Sequence, residues 1–186
     1  MINQTAAEYK QVIDSCRDIF VNKTIDYGTA WRILRLPSIT DQIFIKAQRI
    51  RSIQEKGTQK IEEDITAEFV GIINYCIIAI IQMAMKESDP MELPAEKVSM
   101  LYDRYAEETM KLFLDKNHDY GEAWREMRVT SITDIILMKL LRVKQIEDNE
   151  GVTRISEGVK ANYQDMINYS VFALIKLGYK KNEALS

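Results

Sequence analysis

Lys46 and Arg49 stand three residues apart, as do Lys139 and Arg142, and this spacing puts both cations of each pair on one side of a helix. Cations fixed in this way neutralise phosphate oxygens. Each pair is followed by acidic and amide residues, Glu63 with Asn74 and Glu157 with Asp165 and Asn168. Glu63 and Asn74 are eleven residues apart, close to three turns, so they share a helix face about 16 Å apart along the axis. Asp165 stands one turn before Asn168 on the same arc. Carboxylates so placed can hold a hard cation such as Mg²⁺ through oxygen ligands, and a neighbouring Tyr or Trp can stack on a base. Upstream, a K-x-x-D-Y-G motif supplies Lys23, Asp26 and Tyr27, then again Lys116, Asp119 and Tyr120, with Trp31 or Trp124 after it.

These residues are expected to bind a nucleoside phosphate with Mg²⁺ between the halves of the chain and to hydrolyse it. Glu157, Asp165 and Asp119 are the candidate metal ligands, and Glu157 and Asp165 form the catalytic pair that activates water. Lys116, Lys139 and Arg142 are assigned to phosphates, Tyr120 or Trp124 to the base, and Asp119 and Asn168 complete the substrate set. Lys23, Asp26, Tyr27, Lys46 and Arg49 are the corresponding residues of the first half.

The elements that must position them come from a duplication. Residues 23–46 overlay residues 116–139 with 14 identities in 24 positions. After one extra residue in the second copy, Gly57 pairs with Gly151, Glu63 with Glu157 and Asn74-Tyr75 with Asn168-Tyr169. Tyr9 pairs with Tyr102, and Phe20 with Phe113. The expected organisation is a first repeat over 1–89, a linker over 90–97 and a second repeat over 98–186, packed as one unit.

Periodicity within each copy is helical. The first helix carries Val12, Ile13, Cys16, Ile19 and Phe20 on one stripe from Glu8 to Val21, and the stretch from Met100 to Leu114 repeats it. Gly28 and Gly121 are expected in the left-handed conformation that closes these helices. Ser38 to Asp41 and Ser131 to Asp134 have the form of capping boxes with Asp in place of Glu. Third helices are expected from Ile61 to Met85 and from Ile155 to Leu177. The fold class is therefore all-α, a tandem duplication of a three-helix unit forming a bundle about a pseudo-twofold axis.

Composition narrows the alternatives. A net charge of −3 from 25 basic and 28 acidic residues gives no overall field for nucleic acid or an anionic membrane. A local stripe of Arg32, Arg35, Arg125 and Arg128 is the one feature favouring nucleic acid. Two cysteines, Cys16 and Cys76, and one histidine, His118, exclude a disulfide scaffold, a Cys/His zinc site and a duplicated His-based centre. The charge-free stretch from Phe69 to Met85 contains Gly71, Asn74 and Gln82 and reads as a buried core helix. The opening residues lack the pattern of a secretory signal, so a cytoplasmic location is expected, without a membrane partner. A homodimer is left open.

Retained polar positions admit two explanations. Lys and Arg can pair with Asp and Glu between helices while Trp and Tyr fill the core. Alternatively, the excess of cations over anions among the positions kept in both copies, five against three, marks a phosphate site. On the first explanation the protein is a non-catalytic helical interaction or scaffold module.

At KxxDYGxAWR, SITDxIxxK with Arg three residues further on, and the INY of the third helix, the chain resembles the nucleotide modification associated domain 1 family. The resemblance covers nearly the whole chain as two tandem domains. It implies a small helical protein linked to nucleotide or DNA-base modification. The family pattern continues with an acidic residue and D-x-x-N-Y, which the second copy matches through Glu157, Asp165, Asn168 and Tyr169, whereas the first has Gly71 at the Asp position. More distantly, the chain is similar to the all-α nucleoside triphosphate pyrophosphatases, whose E-x-x-E and E-x-x-D motifs bind Mg²⁺. Glu68-x-x-Gly71 and Asn162-x-x-Asp165 each keep half of an E-x-x-D.

Overall fold

Long amphipathic segments with few Gly and Pro residues leave the chain little to build except helices. The computed structural model describes residues 2–57, 61–152 and 157–179, the side chains of 2–3, 61–64 and 118–120 excepted. Among the described residues six α-helices follow one another: α1 (Ile2–Tyr27), α2 (Leu36–Lys56), α3 (Ile61–Ala84), α4 (Ala95–Tyr120), α5 (Val129–Asp148) and α6 (Val159–Lys176). One-turn 3-10 helices at Ala30–Ile33 and Ala123–Glu126 separate the first and second helices of each copy. No strand occurs among the described residues.

The boundaries correct three expectations. Ser38 and Ser131 do not cap helices, because α2 and α5 start earlier, at Leu36 and Val129, and neither has a side-chain cap bond. In α2, Pro37 occupies the first turn, where its fixed φ fits and its missing N–H costs nothing. α1 runs well beyond Glu8 to Val21 at both ends. α6 starts at Val159, so Glu157 precedes the helix; Ile155 lies outside the described residues. Both glycines have positive φ, +63° at Gly28 and +67° at Gly121, but Gly121 has ψ of −163° and so does not take the helix-closing left-handed conformation expected of it.

α3 supplies the centre of the core. Ile72, Ile73, Cys76, Ile77, Ala79 and Ile81 are completely buried, because α3 packs on both α2 and α6. By length and composition α3 could cross a membrane, yet most of it is buried inside the fold. α1 packs on α4, α2 on α5 and α3 on α6, so each helix meets its own counterpart across the pseudo-twofold axis.

Polar contacts across that axis come in matched pairs. The Tyr9 hydroxyl donates to Asn168 Oδ1 at 2.6 Å, and the Tyr102 hydroxyl donates to Asn74 Oδ1 at 2.8 Å. Tyr9 stacks on Phe113 and Tyr102 packs on Phe20, the same exchange made in aromatic rings. Asp41 pairs with Lys144 at 2.8 Å, and Asp134 with Arg51 at 3.7 Å. Thr40 donates to Glu147 at 2.7 Å, while Thr133 accepts from Gln54 at 3.1 Å.

The last pair breaks the symmetry with a charge. Burial holds the Glu147 carboxyl above its ordinary value of 4.5, against the opposing pull of hydrogen bonds from Thr40 and Tyr163. A carboxyl with a raised folded pKa contributes stability that is full below about 4.5 and is lost as pH rises through the folded value. Glu147→Gln, which reproduces Gln54, should therefore melt higher than the natural protein at neutral pH, and this advantage should disappear in acid. Melting curves from about pH 4 to about pH 8 check this; a Gln variant that melts lower at neutral pH contradicts it.

Candidate functional site

The last turn of α1, the following 3-10 helix and the facing sides of α2 and α3 enclose a cleft of about 780 Å³ in the first copy. Its size falls within the range of small-molecule sites, about 300–1,000 Å³. Lys23, Thr24 and Tyr27 enter from α1, Trp31 and Ile33 from the 3-10 helix, Lys46 from α2, and Gly71, Asn74 and Tyr75 from α3. The second copy contributes Tyr179, beyond the end of α6. The cleft is therefore built mainly by the first copy and only edged by the second, while the interface between the copies is filled by buried apolar side chains.

Charge is unevenly compensated here. Glu68 Oε1 accepts from Arg49 at 2.9 Å, while Lys46 stands 3.6 Å from Oε2 and 5.5 Å from the Tyr75 ring centroid. Lys23 is exposed and has no ion pair or hydrogen bond among the described residues. Trp31, Tyr27 and Tyr75 add ring surface, and no carboxylate or imidazole is among the described lining residues. The site thus offers two ammonium groups and an aromatic wall.

In the second copy the equivalent lysines share a carboxylate. Lys139 donates to Asp165 Oδ2 at 2.6 Å, and Lys116 lies 3.6 Å from Oδ1. Lys116 and Lys139 correspond to Lys23 and Lys46, and Asp165 corresponds to Gly71. A Cβ on Gly71 would lie 2.9 Å from both Cδ and Cε of Lys46, so the lysine stem occupies the volume that a side chain would need. The counter-ion of the first copy instead comes from Glu68, one turn earlier, where the second copy has Asn162. Glu68 is 8% exposed and lies behind the cleft wall, held between Lys46 and Arg49.

Two other expected site residues, Trp124 and Asn168, are engaged within the fold. Trp124 is 6% exposed, stacks on Phe172 with centroids 4.5 Å apart, and carries the Arg125 guanidinium 4.4 Å from its ring. Ile78 takes the place of Phe172 in the first copy, which leaves Trp31 half-buried on the cleft wall. Asn168 is committed to Tyr9. Arg142, Asp26 and Glu157 are exposed and make no hydrogen bond or ion pair among the described residues. The side chains of Glu63, His118, Asp119 and Tyr120 lie outside the described residues.

Retained arginines are also accounted for in part. Arg32 donates to Gln82 at 2.6 Å and to the carbonyls of Asp89 and Pro90, tying the linker to the first copy. Arg125 bonds Glu8, Thr5 and Glu122, which joins α1 to the second copy. Gly28 completes the linker's seat: its φ of +63° suits glycine, and a Cβ there would meet the Glu92 carboxylate at 2.5 Å. Cys16 and Cys76 are buried, which pushes both thiols far above their ordinary range and keeps them unreactive.

A metal ion finds no ready cage. Among the described residues no three carboxylate, imidazole or thiolate groups gather at a spacing that would hold one. Asp165 already faces two ammonium groups, which a divalent ion would have to displace.

Sequence reasoning missed Glu68, Trp31, Ile33 and Tyr179 as parts of this site. Glu68 was recognisable only as the first half of E-x-x-G, one turn ahead of the position where the other copy has Asp165. Nothing in the sequence brings Tyr179 to the first copy.

The family model of nucleotide modification associated domain 1 matches the chain twice, over residues 23–83 and 116–177. No curated protein and no solved structure matches it.

The two tryptophans should separate core from site. Trp124→Ala should cost about 3–5 kcal/mol, the range for a large aromatic removed from a core, and Trp31→Ala clearly less. Denaturant unfolding of both variants checks this, and equal losses would contradict the assignment of Trp31 to the cleft wall.

Proposed function

The chain belongs to the nucleotide modification associated domain 1 family, and from that premise we propose that it binds a nucleoside phosphate in the cleft of its first copy. The observation that carries this reading is the pairing of Lys23 and Lys46 with an aromatic wall of Tyr27, Trp31 and Tyr75 in one cleft of about 780 Å³. Ammonium groups suit phosphate oxygens, and aromatic rings suit a base of any identity because every base has a π-face. The exposed Ile33 and Tyr27 at the edge of the cleft add apolar surface for the nucleoside.

The proposal is one of binding. Hydrolysis of the ligand needs a group to activate water, and the described lining residues offer no carboxylate or imidazole for that work. Mg²⁺ would accompany the phosphates, whose oxygens supply most of its ligands when few protein carboxylates are at hand. The chemistry of modification would then belong to a protein that receives or delivers the nucleotide.

Thermal shift with ribo- and deoxynucleoside mono- and triphosphates, with and without Mg²⁺, tests the reading. A ligand at 100 times its dissociation constant adds about 2.7 kcal/mol to a native state that alone binds it. One nucleotide class should raise the melting temperature, and Lys23→Ala or Lys46→Ala should weaken its binding about tenfold or more, as expected for loss of one charge-assisted hydrogen bond. No shift across the panel, or unaltered binding in both lysine variants, would sink the proposal and direct the search to protein partners.

A further inference from the structure

The two copies present the same pair of lysines in two states. In the second copy a carboxylate sits between them, 2.6 Å from Lys139 and 3.6 Å from Lys116. In the first copy that carboxylate is missing, because Gly71 stands where Asp165 would be, and the space opens into the cleft. From this comparison we infer that the phosphoryl subsite of the first copy lies in the cleft beside Gly71, between Lys23 and Lys46, and that it takes the terminal dianion of a phosphomonoester, such as a nucleoside 5′-monophosphate. The inference rests on the reading of the cleft as a nucleotide site and names the position and charge of what binds there.

Charge balance selects the dianion. Asp165 brings one negative charge to two lysines and fills the space with its own side chain. In the first copy Arg49 alone can satisfy Glu68, which it meets at 2.9 Å, whereas Lys46 holds the same carboxylate at 3.6 Å and reaches it across the bare backbone of Gly71. Lys46 can therefore swing to a ligand without leaving Glu68 uncompensated. Lys23 and Lys46 then present two positive charges to a group that carries between one and a half and two negative charges at neutral pH, as a phosphomonoester does. A phosphodiester or a carboxylate supplies only one.

Glycine leaves room for the Lys46 stem to cross to the subsite. Any side chain at residue 71 must move the Lys46 stem, whose Cδ and Cε would lie 2.9 Å from a Cβ. An aspartate there would recreate the ion pairs of the second copy and offset one of the two lysine charges from within.

The test is calorimetric titration of the whole chain with the nucleoside 5′-monophosphates, the matching nucleosides and inorganic phosphate, repeated on Gly71→Asp and Gly71→Asn. The natural chain should bind one equivalent of a monophosphate, with the nucleoside far weaker, and binding should weaken as pH falls through about 6, where the dianion gains a proton. Gly71→Asp should bind at least tenfold less tightly, and Gly71→Asn should lose less because it fills the space without the charge. Both replacements displace the Lys46 stem by the same Cβ, so a loss of binding shared by the two is steric, and a further loss confined to Gly71→Asp comes from its charge. Gly71→Asp binding as tightly as the natural chain overturns the subsite and leaves the cleft reading standing. If the natural chain binds triphosphates but no monophosphate, the dianion assignment fails alone; if it binds no nucleotide at all, the cleft reading fails with it.

Discussion

The fold depends on an exchange of buried hydroxyls between its halves. Tyr9 of the first copy ends on Asn168 of the second, and Tyr102 of the second ends on Asn74 of the first. All four side chains are buried, and burial drives both phenols well above their ordinary range, so they remain neutral donors. An amide or hydroxyl left unpaired at such depth costs about 1–3 kcal/mol. Each copy therefore completes hydrogen bonds that the other cannot complete alone. Asp41, Asp134, Thr40 and Thr133 extend the same reciprocity along α2 and α5. Two three-helix units that might separate are thereby bound into one core.

This reciprocity also explains why so many polar residues recur in both copies without touching a ligand. A residue can be kept because a ligand needs it or because its counterpart across the axis needs it. Asn74, Asn168, Asp41 and Asp134 belong to the second kind. Once they are removed from the recurring set, Lys23, Asp26, Tyr27, Arg32, Arg35, Lys46, Arg49, Glu63 and Tyr75 remain in the first copy, and four of these, Lys23, Tyr27, Lys46 and Tyr75, line the cleft. The division is sharper than the sequence allowed, because side-chain type and helical spacing are identical for a bond across an interface and a bond to a ligand.

Much of the fold was legible for a plain reason: duplicated helical periodicity survives substitution, and a 3.6-residue stripe states which face is buried. Helix starts were less legible, since Pro37 begins α2 ahead of the serine that looked like a cap. The site was legible in its components but not in its location. The second copy seemed the more complete, having Asp165, Asn168 and Trp124 in their expected order. In three dimensions these side chains are engaged with one another: Asp165 pairs with Lys116 and Lys139, Asn168 is held by Tyr9, and Trp124 lies against Phe172. The open cleft belongs to the copy with Gly71 and Ile78 at the matching positions, and a sequence does not show that a missing side chain leaves a usable space.

The displaced carboxylate has a further consequence for how the first copy could release a cation. Asp165 serves two lysines and no arginine, so neither ammonium can leave without exposing the carboxylate to the full cost of a half-buried, underpaired charge. Glu68 is served by a lysine and by an arginine, and the arginine bond is the shorter. Guanidinium holds a carboxylate through fixed planar donors, whereas an ammonium on a four-carbon stem is a mobile point charge. Moving the acid back by one turn therefore gives the structural half of the task to Arg49 and leaves Lys46 free to turn toward the cleft. With Asp165 at that place in the second copy, the same lysine is fixed. One residue exchanged for glycine and one carboxylate shifted by three positions are enough to make a self-contained ion pair in one copy and an available cation in the other.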